Sequence, residues 1–218
     1  MRVLVTGANR GVGLALVAQM AARGDQVIAT TRSDTPLDNV QWEQADISDP
    51  ASIIALAGRV QGALDLLVCN AGVLHDRREG LETGYAPKIW ADTLAVNVTG
   101  VFLTIQAFLP HLRAGEAGKI AIISSQMGSS TRSTGGTYAY RASKAAALNI
   151  GRNLAHDLAP EGMSVGIYHP GWVQTDMGGG GADITADQSA SGLIERFDTL
   201  SVATTGVFET WDGQAHAF

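Results

Sequence analysis

The chain has 218 residues, a formal net charge of −6, 45% hydrophobic residues and 17% charged residues. This balance is typical of a folded globular protein and excludes a disordered chain, and the acidic charge argues against nucleic acid or an anionic membrane as the main partner. The 26 glycines have no triplet period, which excludes collagen and favours tight turns close to a backbone or a ligand.

The cysteine content and the N-terminus predict where the protein is located. Cys69 is the single cysteine, so an internal disulfide is excluded and a reducing compartment is expected. The segment from Met1 to Val5 lacks the long apolar core of a signal peptide. No stretch reaches the ~18 consecutive apolar residues that a membrane helix needs. We therefore expect a cytoplasmic protein with one domain over residues 1–218 and no membrane partner.

Short β-branched runs alternate along the chain with longer segments of helical periodicity, a pattern that predicts a parallel sheet with crossover helices. Residues 120–123 are continuously apolar, as expected where helices cover both faces of a sheet. The predicted fold class is α/β, a doubly wound parallel sheet of about seven strands that ends in a short substrate loop and tail at about 177–218. The predicted strands are 2–6, 26–31, 40–45, 64–70, 118–124, 163–169 and 205–209, and the predicted helices are 12–23, 50–60, 88–113, 138–158 and 185–200.

The first predicted strand runs directly into a glycine-rich turn that precedes an apolar helix. Glycines let backbone N–H groups approach a pyrophosphate, and a helix N-terminus directs partial positive charge towards it. Glycines at this spacing can also mark a plain turn, but the strand, turn and helix here are the setting that dinucleotide binding requires. The predicted cofactor-binding residues of this turn are Gly7, Asn9, Arg10, Gly11, Val12 and Gly13.

The end of the second predicted strand indicates which dinucleotide binds. An acidic residue there would accept a hydrogen bond from a ribose 2′-hydroxyl, whereas a basic residue would meet a 2′-phosphate. The strand is followed directly by Arg32, and Arg10 in the glycine turn offers a second guanidinium. We therefore predict NADP(H) in preference to NAD(H). The alternatives are that both arginines are solvated surface residues, or that Asp34 reaches the ribose.

Tyr140 and Lys144 lie four residues apart and so share one face of a predicted helix. A nearby ammonium favours the phenolate, so we expect Lys144 to lower the pKa of Tyr140 and make it a usable acid or base. Such pairs are common by chance on helix surfaces. This pair, however, begins the helix that follows the fifth strand, at the same sheet edge as the glycine turn, and it is therefore predicted to be catalytic.

The Gly-x3-Gly-x-Gly turn and the Tyr-x3-Lys pair together resemble the short-chain dehydrogenase/reductase family. The resemblance implies a Rossmann-like fold and reversible hydride transfer between NADP(H) and an aldehyde, ketone or quinone. It implies that Tyr140 protonates the carbonyl oxygen and that Lys144 holds the nicotinamide ribose. It also implies a serine at the end of the fifth strand, where neighbouring side chains point to opposite faces. We predict Ser125. Because Met127 stands at the position where many members have this serine, Ser124 and the polar loop 129–136 are alternatives.

Further motifs extend the resemblance over residues 2–177. Asn97 matches the asparagine that relays protons through water to the lysine, and Asp46 matches a residue that contacts adenine, although it could equally cap a turn. Residues 138–144 and 169–179 resemble the C-factor and sniffer-like carbonyl reductase branch, whose members are short, which implies an open active site with broad carbonyl selectivity. The other cofactor contacts that the resemblance implies are Ile47, Asn70, Ala71, Gly72, Pro170, Gly171, Val173 and Thr175.

Three other interpretations of the sequence are a hydrolase, a metal-binding protein and a cofactor-binding protein without turnover. The segment from Gly162 to Gly166 fits Gly-x-Ser-x-Gly, but its Ser164 enters a strand and so lacks the strand, turn and helix of a hydrolase nucleophile. The histidines are scattered, so no metal site is predicted. The main alternative is an NADP-binding signalling or regulatory protein with little or no turnover.

Family members often form homodimers or homotetramers through the helices at 88–113 and 138–158, and we expect one of these assemblies.

Overall fold

The computed structural model describes residues 1–33 and 37–218. Within these residues seven strands form one sheet, in the order β3-β2-β1-β4-β5-β6-β7, and each pair of neighbours is parallel. The predicted α/β fold is thereby confirmed. The strands are β1 (Arg2–Val5), β2 (Gln26–Thr31), β3 (Gln41–Gln44), β4 (Leu66–Cys69), β5 (Lys119–Ile123), β6 (Ser164–His169) and β7 (Phe208–Thr210).

Helices cover both faces of this sheet. One face packs against α2, α4 and α5, and the other packs against α1 and α6. Strands buried from both sides read as continuous apolar runs, and the four residues of β4 are all buried. The helices are α1 (Gly11–Ala22), α2 (Pro50–Arg59), α3 (Pro87–Leu94), α4 (Val101–Arg113), α5 (Tyr138–Leu158) and α6 (Ala186–Thr199).

The predicted helix at 88–113 is divided into three parts. A π-helical turn at Ala95–Gly100 joins α3 to α4. Such turns hold one extra residue per turn and are frequent at functional sites. A Cβ on Gly100 would lie 2.3 Å from the carbonyl oxygen of Ile47, so this turn packs directly on the segment that follows β3. The hydrophobic periodicity predicted the helix but gave no sign of the inserted residue.

The last strand begins later than predicted. The sequence indicated a strand at 205–209, whereas β7 is Phe208–Thr210. It follows a 3-10 turn at Val202–Thr204, and Gly206 and Val207 already hydrogen-bond β6 before the strand begins. The predicted tail at 177–218 accordingly contains α6, this turn and β7 after a loop.

The continuous helical segment Pro87–Arg113 is long and apolar enough to cross a membrane by length and composition. The expectation that the chain has no such stretch was wrong by this measure, because a hydropathy average tolerates isolated polar residues that interrupt an apolar run. Core helices pass the same test, and here Val101, Ile105, Phe108 and Leu112 are buried against the sheet. The apolar character of this segment is accounted for by the core.

The sheet also determines where a ligand can bind. All seven strands are parallel, so their carboxyl ends lie along one edge. The connections diverge between β1 and β4, since β2 and β3 lie on one side of β1 and β4 to β7 on the other. Open α/β sheets bind ligands at the carboxyl edge next to such a switch point.

Candidate active site

A cleft of about 670 Å³ opens at this switch point. Most of the predicted cofactor-binding residues line it, although Gly171 and Val173 do not, and Val173 is buried beneath the cleft. Of the predicted catalytic residues, Tyr140 and Lys144 line the cleft. Asn97 and Ser125 are buried and are not among the lining residues, although Ser125 directly follows the lining residue Ser124. The predicted residues along the cleft are Gly7, Asn9, Arg10, Gly11, Val12, Gly13, Arg32, Asp46, Ile47, Asn70, Ala71, Gly72, Tyr140, Lys144, Pro170 and Thr175.

The glycine turn leaves no room for side chains. Gly7 has a φ of +63°, and a Cβ on it would lie 2.8 Å from the Cα of Ala71. A Cβ on Gly13 would lie 2.4 Å from Nδ2 of Asn70, which donates hydrogen bonds to the carbonyl oxygens of Thr6 and Gly7, each at 2.9 Å. Asn70 therefore braces the turn from the end of β4, and the glycines keep the backbone of the turn accessible from the cleft.

The N-terminus of α1 faces the same cleft. The helix begins at Gly11, and within the described residues no side chain caps it and no acidic residue occupies its first turn. The first N–H groups of a helix have no partner inside the helix and carry partial positive charge. The uncapped helix end and the glycines of the turn together fit the pyrophosphate of a dinucleotide.

The two arginines predicted to meet a 2′-phosphate lie at the cleft and are each paired with a carboxylate. Arg32 Nη1 is 3.9 Å from Asp46, and Arg10 Nη1 is 3.1 Å from Asp176. Both arginine side chains are well exposed, at 65% and 70%, so these pairs contribute little to stability. The guanidinium groups therefore remain accessible to an anion that enters the cleft. The alternative ribose contact, Asp34, lies outside the described residues.

Asp46 forms local contacts in addition to its pair with Arg32. Its Oδ1 accepts hydrogen bonds from the backbone N–H and the hydroxyl of Ser48, at 2.8 and 2.7 Å. These bonds hold the pKa of Asp46 below its usual value, with a further contribution from the charge of Arg32, although partial burial opposes them. Asp46 thus caps a turn and also lies at the cleft, so both predicted roles are compatible with its position.

Tyr140 and Lys144 lie on one face of α5 and are both buried. The Lys144 Nζ donates a hydrogen bond of 2.9 Å to the carbonyl oxygen of Ile123 and lies 5.6 Å from the centre of the Tyr140 ring. Burial lowers the pKa of Lys144 to about 8, because an ammonium loses its hydration there. The side-chain pairing expected from the spacing is present.

The expected lowering of the Tyr140 pKa was wrong for the protein alone. Burial raises the pKa of Tyr140 to about 12, and the negative charge of Asp76 adds to this rise. A side-chain hydrogen bond with Ser125 and the positive charge of Arg77 act in the opposite direction and are outweighed. The phenol is therefore protonated at neutral pH, and desolvation outweighs the nearby cations.

The two candidate serines at the end of β5 have different partners. Ser124 Oγ donates a hydrogen bond of 3.1 Å to the carbonyl oxygen of Lys144, which ties β5 to α5. Ser125 lies close enough to Tyr140 for its hydroxyl to lower the pKa of the phenol, and it accepts a hydrogen bond from the backbone N–H of Met127 at 3.1 Å. Ser125 is thus the serine beside the phenol, and the opposite orientation of neighbours on an extended chain explains the difference.

Asn97 lies in the π-helical turn, and its side chain makes three hydrogen bonds. Its Nδ2 donates to the carbonyl oxygen of Val73 at 2.9 Å and to Ser143 Oγ at 3.0 Å, and its Oδ1 accepts from the Val73 N–H at 2.8 Å. The amide therefore joins the loop after β4 to α5. Because both amide hydrogens are used in these bonds, a water relay from Asn97 to Lys144 would need either the second lone pair of Oδ1 or the backbone of Asn97.

Two residues that support the site were not predicted from the sequence. Thr30 Oγ1 accepts a hydrogen bond of 3.1 Å from the N–H of Gly7, which holds the glycine turn against β2. Asp76 is fully buried beside the first turn of α5. Neither residue belongs to a local motif, and the partners of Asp76 are more than sixty positions away in the sequence. No pattern in the sequence could have indicated that contact.

Comparisons with known proteins agree with this geometry. A family model described as short chain dehydrogenase matches residues 1–183. The C-signal protein of Myxococcus xanthus is 40% identical over 156 residues, which cover 70% of this chain and 91% of that protein. The carbonyl reductase Sniffer of D. melanogaster superposes with a TM-score of 0.92 at 27% identity and covers 100% of this chain and 99% of that one. An NADPH-bound carbonyl reductase from chicken fatty liver gives 0.88 at 32% identity, with coverage of 100% and 98%.

Proposed function

The chain belongs to the short chain dehydrogenase family, and from that premise we propose that this NADP-dependent oxidoreductase transfers hydride reversibly between its cofactor and a small-molecule aldehyde, ketone or quinone. The observation that carries the proposal is the position of Tyr140, with Ser125 beside it and Lys144 one helical turn along, at the end of a cleft whose other end fits a pyrophosphate. The NADP-bound neighbours support the choice of cofactor.

In this proposal each residue acts on a stated atom. NADPH held in the cleft would supply the hydride that the carbonyl carbon accepts. Ser125 donates a hydrogen bond to the substrate oxygen, and Tyr140 donates its hydroxyl proton to the same oxygen as the C–O double bond becomes single. The raised pKa of Tyr140 keeps that proton in place at neutral pH. Lys144, whose pKa of about 8 lies near working pH, is suited to return a proton to the phenolate.

Replacing Ser125 with alanine tests the position of the substrate oxygen. We expect Ser125→Ala to lower kcat by about 100-fold, as is usual when one donor to a developing oxyanion is removed, and to leave NADPH affinity unchanged. Ser124→Ala is the matched control, since it removes a neighbouring hydroxyl that bonds the Lys144 backbone instead. Steady-state kinetics of both variants show which serine bonds the substrate oxygen. A larger loss of kcat in Ser124→Ala would assign that bond to Ser124.

An equilibrium titration with NADPH and with NADH tests the cofactor site. We expect the wild type to bind NADPH more tightly, and Arg32→Asp to weaken NADPH binding by about 10- to 100-fold, which corresponds to roughly 1.5–3 kcal/mol for one charge-assisted bond. NADH binding should change much less. Arg113→Asp is a matched control, because Arg113 is also an exposed arginine paired with a carboxylate and lies at the end of α4. Unchanged discrimination in Arg32→Asp would contradict the role of Arg32.

We propose in addition a cytoplasmic protein of one domain that forms a homodimer or homotetramer. The reduced, buried Cys69 supports a reducing compartment. Phe102 on α4 and Tyr138 on α5 are large apolar side chains exposed at 42% and 37%, which supports an interface at these helices. The alternative of a signalling protein without turnover is not favoured, because Tyr140 and Lys144 are present together at the cleft and the matching relatives include reductases.

A further inference from the structure

The helix that carries Tyr140 and Lys144 is capped by a residue from elsewhere in the chain. Thr137 occupies the N-cap position with a φ of +44°, and within the described residues its side chain makes no capping hydrogen bond. Instead, Asp76 Oδ2 accepts hydrogen bonds from the backbone N–H groups of Ala139, at 2.8 Å, and of Tyr140, at 3.2 Å. Asp76 belongs to the loop after β4, so these bonds join two walls of the cleft.

The burial of Asp76 indicates that its charge has a purpose beyond capping. The residue is 0% exposed, and its second oxygen, Oδ1, is buried with no hydrogen-bond partner among the described residues. An incompletely bonded carboxylate is expensive to bury. A neutral asparagine or serine can also cap a helix and would be cheaper to desolvate. Helix capping alone therefore does not explain why residue 76 is acidic.

We propose that Asp76 is a positioning residue for the reaction, which fixes the first turn of α5 through the N–H of Tyr140 itself and so determines how the phenol enters the cleft. The proposal rests on the proposed function. Its geometric basis is that one carboxylate oxygen binds the backbone of the reacting residue and of its immediate neighbour. A shift of the reacting group by about 1 Å can reduce a rate about 100-fold, so the anchoring of this turn bears directly on turnover.

The charge of Asp76 has a second effect on the same phenol. The charged or titratable groups that face Tyr140 are Asp76 and Arg77 from the loop after β4 and Lys144 from α5. Asp76 raises the pKa of Tyr140, whereas Arg77 and the bond from Ser125 lower it. Without the Asp76 charge, burial is the one remaining influence among the described residues that raises the pKa of Tyr140, while Arg77 and Ser125 still lower it. The pKa of Tyr140 should then fall.

Three substitutions separate the anchoring from the charge. Asp76→Ala removes both, Asp76→Asn retains an acceptor oxygen without the charge, and Asp76→Glu retains the charge on a longer side chain. For Asp76→Ala we expect faster amide hydrogen exchange at residues 139–140 and a kcat about 10- to 100-fold lower, with a smaller change in KM. For Asp76→Asn we expect nearly normal exchange, and a loss of reductase activity at alkaline pH that occurs at lower pH than in the wild type.

Asp65→Asn is the matched control for these variants. Asp65 Oδ2 also accepts a backbone N–H from a distant part of the chain, that of Arg2 at 2.7 Å, but it precedes β4 and so lies at the opposite edge of the sheet. Its substitution should reduce thermal stability and leave the pH profile unchanged. Normal exchange and turnover in Asp76→Ala, together with a wild-type pH profile in Asp76→Asn, would overturn the inference.

A readout without turnover keeps this test independent of the proposed function. If the wild-type protein reduces no carbonyl compound, the proposed function fails. The tyrosinate absorbance of the NADP⁺ complex, taken as the difference between wild type and Tyr140→Phe, then reports the ionisation of Tyr140. A lower pKa in Asp76→Asn than in the wild type supports the role of Asp76, and an equal pKa contradicts it.

Discussion

The Tyr140→Phe variant is expected to reduce carbonyl compounds about 1000-fold more slowly than the wild type and to bind NADPH with an affinity within a few-fold of normal. Phenylalanine retains the ring that packs in the buried wall of the cleft and removes only the hydroxyl that supplies the proton. The loss of a positioned general acid typically costs 10²–10⁴ in rate, and the absence of any other phenol beside Ser125 in the described part of the chain favours the upper half of that range.

Tyr138→Phe is the control for this experiment. Tyr138 lies two positions earlier on the same helix, is 37% exposed, and packs against the ring of Tyr85 with centroids 5.5 Å apart. Residues two apart on a helix point in different directions, so the loss of this hydroxyl should leave kcat nearly unchanged. Single-turnover measurements with preloaded NADPH isolate the chemical step. Substantial activity in Tyr140→Phe would show that another group protonates the substrate.

A methyl group added at Gly13 is expected to abolish NADPH binding at concentrations that saturate the wild type. Its Cβ would lie 2.4 Å from Nδ2 of Asn70 and 2.5 Å from the carbonyl oxygen of Gly7, distances that real Cβ atoms do not adopt. The turn must move, and the Asn70 brace must break. Overpacking of this kind costs roughly 1–3 kcal/mol of folding free energy. If two charge-assisted backbone bonds to the pyrophosphate are lost, as our proposal for this turn implies, binding should weaken about 1000-fold.

Gly58→Ala supplies the contrast. Gly58 lies in α2, where an added Cβ meets no atom within 4 Å, so this substitution should stabilise the helix by about 0.5–1 kcal/mol and leave cofactor binding intact. Thermal melts with and without NADPH distinguish the two effects, since a bound ligand raises the melting temperature of the native state. A normal NADPH-dependent rise in Gly13→Ala would contradict the assignment of the pyrophosphate to this turn.

The sequence predicted the sheet and its helices because apolar periodicity is a local property. The runs around β1, β4 and β6 and the amphipathic stretches between them needed no knowledge of the tertiary structure. The exceptions are elements whose structure depends on contacts with residues that are distant in the sequence. The π-helical turn at Ala95–Gly100 accommodates Ile47 and Ser143 from other elements, and the start of β7 at Phe208 depends on its pairing with β6.

The sequence predicts those parts of the candidate site that consist of short local motifs. The glycine turn and the spacing of Tyr140 and Lys144 fall in this class. The ionisation of Tyr140 does not, because it depends on how deeply the ring is buried and on Asp76, which approaches from another loop. The choice between Ser124 and Ser125 likewise required the structure, since both occupy the same strand end and differ only in the direction of their side chains.

The π-helical turn contacts two parts of the site at once. Gly100 packs on Ile47 in the segment after β3, and Asn97, three residues earlier, bonds both the loop after β4 and α5. One short piece of backbone is therefore shared by a residue of the cleft wall and by the amide that holds the helix of Tyr140. A substitution that converts this turn into regular α-helix should consequently disturb both places together, although they are distant in the sequence.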